Sequence, residues 1–99
     1  MPVYVDPLQN WGWKIRGRRT PSCHMFTSSG DLEELHAVAE KIGLKREWLH
    51  NNPDHPHYDL TPARRAAALA EGVKEVCFKE AIAIIRARRT MVGVEANGI

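Results

Sequence analysis

Strand-like and helix-like segments alternate along this chain, and the alternation constrains its fold more than any other feature. Residues 3–5 and 23–27 are β-branched, aromatic or apolar runs typical of strands. Residues 73–77 are a further strand candidate. An apolar stripe at helical spacing over residues 32–42 predicts a helix. Asp31 and Glu34 would form a capping box at its start.

Two more helices are predicted in the second half of the chain. Thr61 as N-cap and Pro62 in the first turn begin one, which stops at Gly72. Phe78 begins the other, whose arginines favour its carboxyl end. This order predicts an α/β domain of two or three layers, with about three helices. Its sheet would be short and mostly parallel, with three to four strands.

Ninety-nine residues, 43% of them hydrophobic, suit one globular domain. We predict that residues 1–89 form it, with a basic, tryptophan-rich loop at residues 8–22. Residues 90–99 lack periodicity and are predicted to be a flexible tail. Two unpaired-looking cysteines, no signal-peptide pattern and no long apolar run favour a cytoplasmic protein without membrane contact.

A histidine-rich segment is the densest cluster of reactive side chains. It contains His50, His55, His57 and Asp59. Side chains two residues apart in an extended segment share a side, so these residues could bind zinc, manganese or iron. His24 or His36 could add a further ligand. The alternative is a polar surface loop whose histidines are solvated.

Two neighbouring arginines fall in the first turn of the second predicted helix. Arg64 and Arg65 oppose the helix dipole there, at a cost of about 0.3 to 1 kcal/mol. A phosphate or carboxylate bound at the helix amino terminus would explain them. They could equally reach into solvent.

The loop at residues 8–22 places tryptophans beside cations, as single-stranded nucleic acid or a nucleotide would require. A glycine-rich loop of this kind could also act as a mobile lid. One of Trp11 and Trp13 is expected to be buried and to anchor the loop. The cations are Lys14, Arg16, Arg18 and Arg19.

Five separated motifs resemble a family of bacterial and phage proteins known as domain of unknown function 4031. The motifs are Val3-Tyr4-Val5-Asp6, Cys23-His24-Met25-Phe26, Glu34-Leu35-His36-Ala37, Arg46-Glu47-Trp48 and His57-Tyr58-Asp59-Leu60. The family implies no activity, but the resemblance separates the candidate site residues that belong to the family pattern from those that do not. It includes Asp6, His24, His57 and Asp59 and an arginine or lysine near Arg65, and it omits His50 and His55.

The leading hypothesis is an enzyme, or a binding protein derived from one, for a phosphate-containing ligand such as a nucleotide or nucleic-acid end. His24 or His57 would act as general acid or base, because histidine titrates near neutrality. Asp59 or Asp6 would orient the histidine or hold a divalent metal ion. Arg64 and Arg65, with Arg18 as a further candidate, would bind the phosphate.

Two alternatives come from other classes of protein. One is a nucleic-acid-binding accessory protein without chemistry, which would use the basic loop and the last helix. The other is a structural or partner-binding domain, in which histidines and aspartates form a hydrogen-bond network. Cysteine nucleophile chemistry is not favoured, because Cys23 and Cys77 have no activating partner in the sequence.

Overall fold

The computed structural model describes residues 1–92 of the chain. Six short strands and three α-helices are present in this part, with one turn of 3₁₀ helix at Arg46–Trp48. The strands are β1 (Val3–Val5), β2 (Lys14–Ile15), β3 (Arg18–Arg19), β4 (Cys23–Thr27), β5 (Tyr58–Leu60) and β6 (Lys74–Glu75). The helices are α1 (Glu33–Lys41), α2 (Pro62–Ala70) and α3 (Phe78–Val92).

Four of the strands form the main sheet, in the order β5-β4-β1-β6. The predicted α/β class, with a four-stranded sheet and three helices, is confirmed. The mostly parallel pairing is wrong, because β1–β4 and β4–β5 are antiparallel and only β1–β6 is parallel. The sheet is therefore mixed.

The connections between strands explain the antiparallel pairs. A parallel pair needs a crossover, which is usually a helix, and no helix lies between β1 and β4. After α1 the chain doubles back along that helix, where Arg46 forms an ion pair with Glu33 at 2.9 Å. It therefore enters β5 near the end of β4 at which it left the sheet.

The helices cover both faces of the main sheet, so the domain has three layers. Residues from α1 and α2 pack with Val3, Val5, Met25 and Leu60 in the larger apolar cluster. We call this side the core face. On the other side, α3 packs against Phe26 in a smaller cluster, and we call it the α3 face.

The predicted helix starts are confirmed in one case and corrected in the other. Thr61 caps α2, because its Oγ1 accepts a hydrogen bond from the Arg64 N–H at 3.2 Å. Before α1, Asp31 accepts the Glu33 N–H at 2.7 Å. The Asp31 N–H donates to the Ser29 hydroxyl instead of Glu34, so the capping box does not form.

The segment at residues 8–22 is more regular than predicted. Strands β2 and β3 pair as a hairpin around Arg16 and Gly17, which both have positive φ. Two such residues form the turn that matches the twist of a hairpin. We call residues 14–19 the basic hairpin.

Helix α3 continues to Val92, three residues into the segment predicted as a tail, and residues 93–99 lie outside the described part. Within residues 1–92, no helix is both long and apolar enough to cross a membrane.

Candidate functional site

Three adjacent strands place polar side chains in one row on the α3 face. Asp59 in β5 lies directly opposite His24 in β4. Asp6 follows β1, and its N–H donates to the His24 carbonyl at 3.2 Å. His57 precedes Asp59 by two residues and shares its side of the strand. The structure thus brings together the four predicted catalytic residues.

Asp6 fixes the orientation of His24 through two hydrogen bonds. Its Oδ1 accepts the His24 backbone N–H at 2.7 Å, and its Oδ2 lies 2.7 Å from His24 Nδ1. A carboxylate oxygen accepts, so in the neutral imidazole Nδ1 carries the proton and Nε2 has the lone pair. The hydrogen bond to Asp6 raises the pKa of His24.

His57 is held in the same manner by the backbone. Its Nδ1 donates to the His55 carbonyl at 2.7 Å, which leaves the Nε2 lone pair directed away from that bond. Burial lowers the pKa of His57. Asp59 Oδ1 lies 3.6 Å from His57 Nε2 and 3.9 Å from His24 Nε2.

One ligand atom from each of these three residues lies within 4.8 Å of the others. We call His24, His57 and Asp59 the triad. Two imidazole nitrogens and one carboxylate oxygen can hold zinc, iron or manganese. Three protein ligands would leave coordination positions open to water or a substrate.

Two histidines that the resemblance omits also lie beside the triad. His50 Nε2 is 3.0 Å from Asp59 Oδ2, and its ring is parallel to the His57 ring with centroids 4.9 Å apart. The His55 ring lies 4.6 Å from the His57 ring. Burial lowers the pKa of His55 to about 4. His55 and His57 are therefore neighbours, but within residues 1–92 only His57 and Asp59 of the His-x-His-x-Asp segment belong to the cluster with His24.

The three predicted phosphate-binding arginines lie in different surroundings. Arg64 lines a cavity together with Asp59 and His50. Arg65 donates to the Asp6 carbonyl at 3.1 Å and to Glu75 at 2.6 Å. Arg18 is exposed on the basic hairpin. The structure therefore brings Arg64 and Arg65 to the edges of the row but not Arg18.

The cavity beside Asp59 has a volume of about 500 Å³. The sequence did not predict this cavity, although Trp48, one of its lining residues, belongs to one of the five motifs. Its walls include Trp13, Ile15, Trp48, Tyr58, Thr61 and Arg64. We call it the tryptophan cavity.

The expected buried tryptophan anchor is not present. Trp13 is 37% exposed and Trp11 is 56% exposed. The Trp11 ring lies 5.6 Å from the His24 ring and 6.4 Å from the Phe78 ring. The tryptophans therefore lie at the site's surface and not in the core.

His36 and Cys23 stand apart from the row. His36 Nδ1 lies 2.6 Å from the Tyr58 hydroxyl, so it is a packed histidine of the core face. Cys23 is buried there, and burial raises its pKa to about 12. A thiol with such a pKa is a poor nucleophile at neutral pH.

Comparison with known proteins assigns the chain to a family. The sequence profile described as Protein of unknown function (DUF4031) matches residues 3–88. The chain belongs to this family. The match confirms the predicted resemblance.

Two curated proteins are related to this chain at low sequence identity. A protein named Ribonuclease H from Anaeromyxobacter sp. (strain K) is 29% identical over 91 residues, which cover 90% of this chain and 49% of the relative. Another of the same name, from Anaeromyxobacter dehalogenans, is 29% identical over 94 residues, with coverage of 93% and 51%. The chain thus spans about half the length of these relatives. No solved structure matches it significantly.

Proposed function

We propose that the triad holds a divalent metal ion and acts on a phosphate-containing ligand, a nucleotide or the end of a nucleic acid. One observation carries the proposal. Each triad residue has a hydrogen-bond or ion-pair partner on the atom that faces away from the centre. Asp6 holds His24, the His55 carbonyl holds His57, and His50 holds the second oxygen of Asp59.

Such partners are what metal-binding residues use to set their orientation and basicity. Ligand atoms around a zinc ion lie about 3 to 4 Å apart, since each bond is about 2.0 to 2.2 Å. The two distances from Asp59 Oδ1 to the Nε2 atoms of His57 and His24, 3.6 and 3.9 Å, fall in this range. Small side-chain movements would complete the site.

Arg64 supports a phosphate-containing ligand. Its Nη2 makes one long hydrogen bond, 3.4 Å to the Gly43 carbonyl, and its Nε is buried without a partner among residues 1–92. The side chain therefore keeps donors for an anion in the tryptophan cavity. The relatives' name, Ribonuclease H, agrees with a nucleic-acid ligand. We propose Arg64 as the main phosphate-binding residue.

Arg65 and Arg18 receive narrower roles. Arg65 is engaged by the Asp6 carbonyl and Glu75, so we propose that it positions Asp6 behind His24. Arg18 would meet phosphates further from the triad. We also propose a cytoplasmic location, because both cysteines are free.

The test combines metal binding with hydrolysis. Protein stripped with EDTA is titrated with Co²⁺ as an absorbing probe, and a panel of phosphate mono- and diesters, nucleotides and end-phosphorylated oligonucleotides is assayed with Zn²⁺ or Mn²⁺. We expect one Co²⁺ per chain and hydrolysis of part of the panel. His57→Ala should abolish both, and the matched variant His36→Gln should retain both.

The outcomes separate the three classes of protein. Metal binding without hydrolysis would support a binding protein and overturn the enzymatic part. Absence of both, with His57→Ala markedly less stable, would make the cluster a structural network.

A second candidate function rests on a separate observation. The four cations of the basic hairpin are exposed, and none has an ion-pair partner within the described residues. They would suit an accessory protein that binds nucleic acid without chemistry. Its binding would weaken steeply with salt and survive His57→Ala.

A further inference from the structure

The tryptophan cavity is lined by two partly exposed indole rings. Trp13 and Trp48 are 37% and 48% exposed, although each large ring would gain free energy by burial. Both line the same concave surface. Its volume of about 500 Å³ lies within the range of small-ligand sites.

Polar groups also line the cavity. Arg64 supplies a cation, and Thr61 and His50 supply hydrogen-bonding atoms. Asp59 belongs to both the cavity and the triad. A ligand in the cavity is therefore next to the reacting groups.

The basic hairpin forms one wall of the cavity. Ile15 in β2 lines it, and the four cations of the same hairpin are exposed. Aromatic rings beside a cationic surface suit a chain with flat bases and regularly spaced phosphates. A duplex conceals the faces of its bases, so a single strand fits better.

We propose that the tryptophan cavity receives a base of single-stranded nucleic acid, while the basic hairpin binds the phosphates of the flanking nucleotides. The proposal rests on the proposed function for its phosphate chemistry and names the substrate class. Trp13 and Trp48 are the residues that contact the base. Arg64 binds the phosphate between that base and the triad.

Binding is measured by fluorescence anisotropy with labelled oligonucleotides and protein in EDTA, so neither a metal ion nor turnover is needed. Trp13→Ala and Trp48→Ala should each weaken single-strand binding by about 5- to 150-fold, the range for loss of one base–aromatic stack. Trp13→Phe and Trp48→Phe should retain most of the affinity. Ile82→Ala, an exposed apolar residue of α3, is the matched control and should change nothing.

The hairpin is tested by salt dependence. Removal of one cation, in Arg16→Ala or Arg18→Ala, should reduce the slope of log affinity against log salt by about 0.7. Lys74→Ala removes an exposed cation of β6, at the opposite edge of the main sheet from β5, and should leave the slope unchanged. A mononucleotide should bind the cavity without sensitivity to either hairpin variant. The same titration with DNA and with RNA oligonucleotides of one sequence shows whether deoxyribose or ribose is preferred.

An abasic strand gives a test that needs no variant. Wild-type protein should bind a strand with abasic sites more weakly than the intact strand. Equal binding of intact, abasic and duplex oligonucleotides would overturn the base pocket. Metal binding and hydrolysis in the earlier assay would survive that result, so the two failures are distinguishable.

Discussion

Along β4, successive side chains enter two different environments. Cys23 and Met25 point to the core face and are fully buried. His24, between them, points to the α3 face and joins the row that contains Asp6 and Asp59. The same alternation separates Leu60 from Asp59 in β5. One set of strands thus supplies apolar packing on one face and reactive groups on the other.

From the difference between the two faces we expect that stability and ligand binding can be altered separately. The core face contacts two helices, whereas the apolar cluster on the α3 face is smaller and lies beside the polar row. Substitutions on the core face should act on folding, and substitutions in the row should act on ligands. The experiments on β5, on Tyr58 and on the cysteines test this division.

The largest expected effect is in adjacent residues of β5. Leu60→Ala should lower the free energy of unfolding by about 2 to 5 kcal/mol, because it removes a fully buried side chain and leaves a cavity. Asp59→Asn should change it by less than about 1 kcal/mol, since Asp59 is partly exposed. Urea unfolding measures both changes. Equal losses of stability would contradict the proposed division between the two faces.

A smaller effect is expected at α2, which serves both faces. Ala68 of α2 packs in the core, and Arg65 of the same helix reaches Asp6. Thr61→Ala removes the cap and should cost about 1 kcal/mol. Thr61→Ser keeps the hydroxyl and should restore most of this loss in the same unfolding measurement. No difference between the two variants would deny Thr61 its capping role.

The hydroxyl of Tyr58 should contribute slightly less. Tyr58→Phe removes the hydrogen bond to His36 Nδ1 and should cost about 0.5 to 1 kcal/mol, because His36 is only partly buried and water can replace the partner. Co²⁺ binding should be unchanged, since the bond lies on the core face. A change in metal affinity with unchanged stability would show that the faces are coupled.

The cysteines test the burial of the core face without any substitution, because Cys23 is buried there and Cys77 is exposed. At pH 8, a thiol reagent should modify exposed Cys77 and spare Cys23, whose pKa is raised to about 12 by burial. The reactive thiolate of Cys23 is therefore scarce at this pH. Mass spectrometry should find one label per native chain and two after denaturation. Rapid labelling of both in native protein would contradict the buried position.

Local signals in the sequence were sufficient to locate the three helices and to place His57 on the same side as Asp59. Thr61 and Pro62 mark the start of α2 because capping depends on adjacent residues. His57 and Asp59 share a side because strand side chains alternate. These features require no knowledge of the rest of the chain.

The direction of β4 could not be read in this manner, and the position of His24 depended on it. Strand pairing is set by the path of the connecting segments, and residues 6–22 form a hairpin-containing loop instead of a crossover helix. Because β4 is antiparallel to β1, its first residues lie beside the end of β1. His24, near the start of its strand, therefore meets Asp6 after the end of β1.

The tryptophan cavity was not predicted because its walls come from distant parts of the chain. Trp13 lies in the segment containing the hairpin, Trp48 in the 3₁₀ turn and Arg64 in α2. Composition suggested a buried anchor for one tryptophan, since large aromatic side chains usually gain from burial. Only the folded structure shows that Trp13 and Trp48 line the same cavity.

The row of Asp6, His24 and Asp59 also links ligand binding at the site to the stability of the folded protein. These residues are far apart in the chain and meet only when three strands have aligned, so the unfolded chain lacks the complete site. A ligand that binds only the folded form at 100 times its dissociation constant would add about 2.7 kcal/mol to the stability. Loss of that ligand would increase the population of open chains available to proteases. The lifetime of the protein would then follow the supply of what it binds.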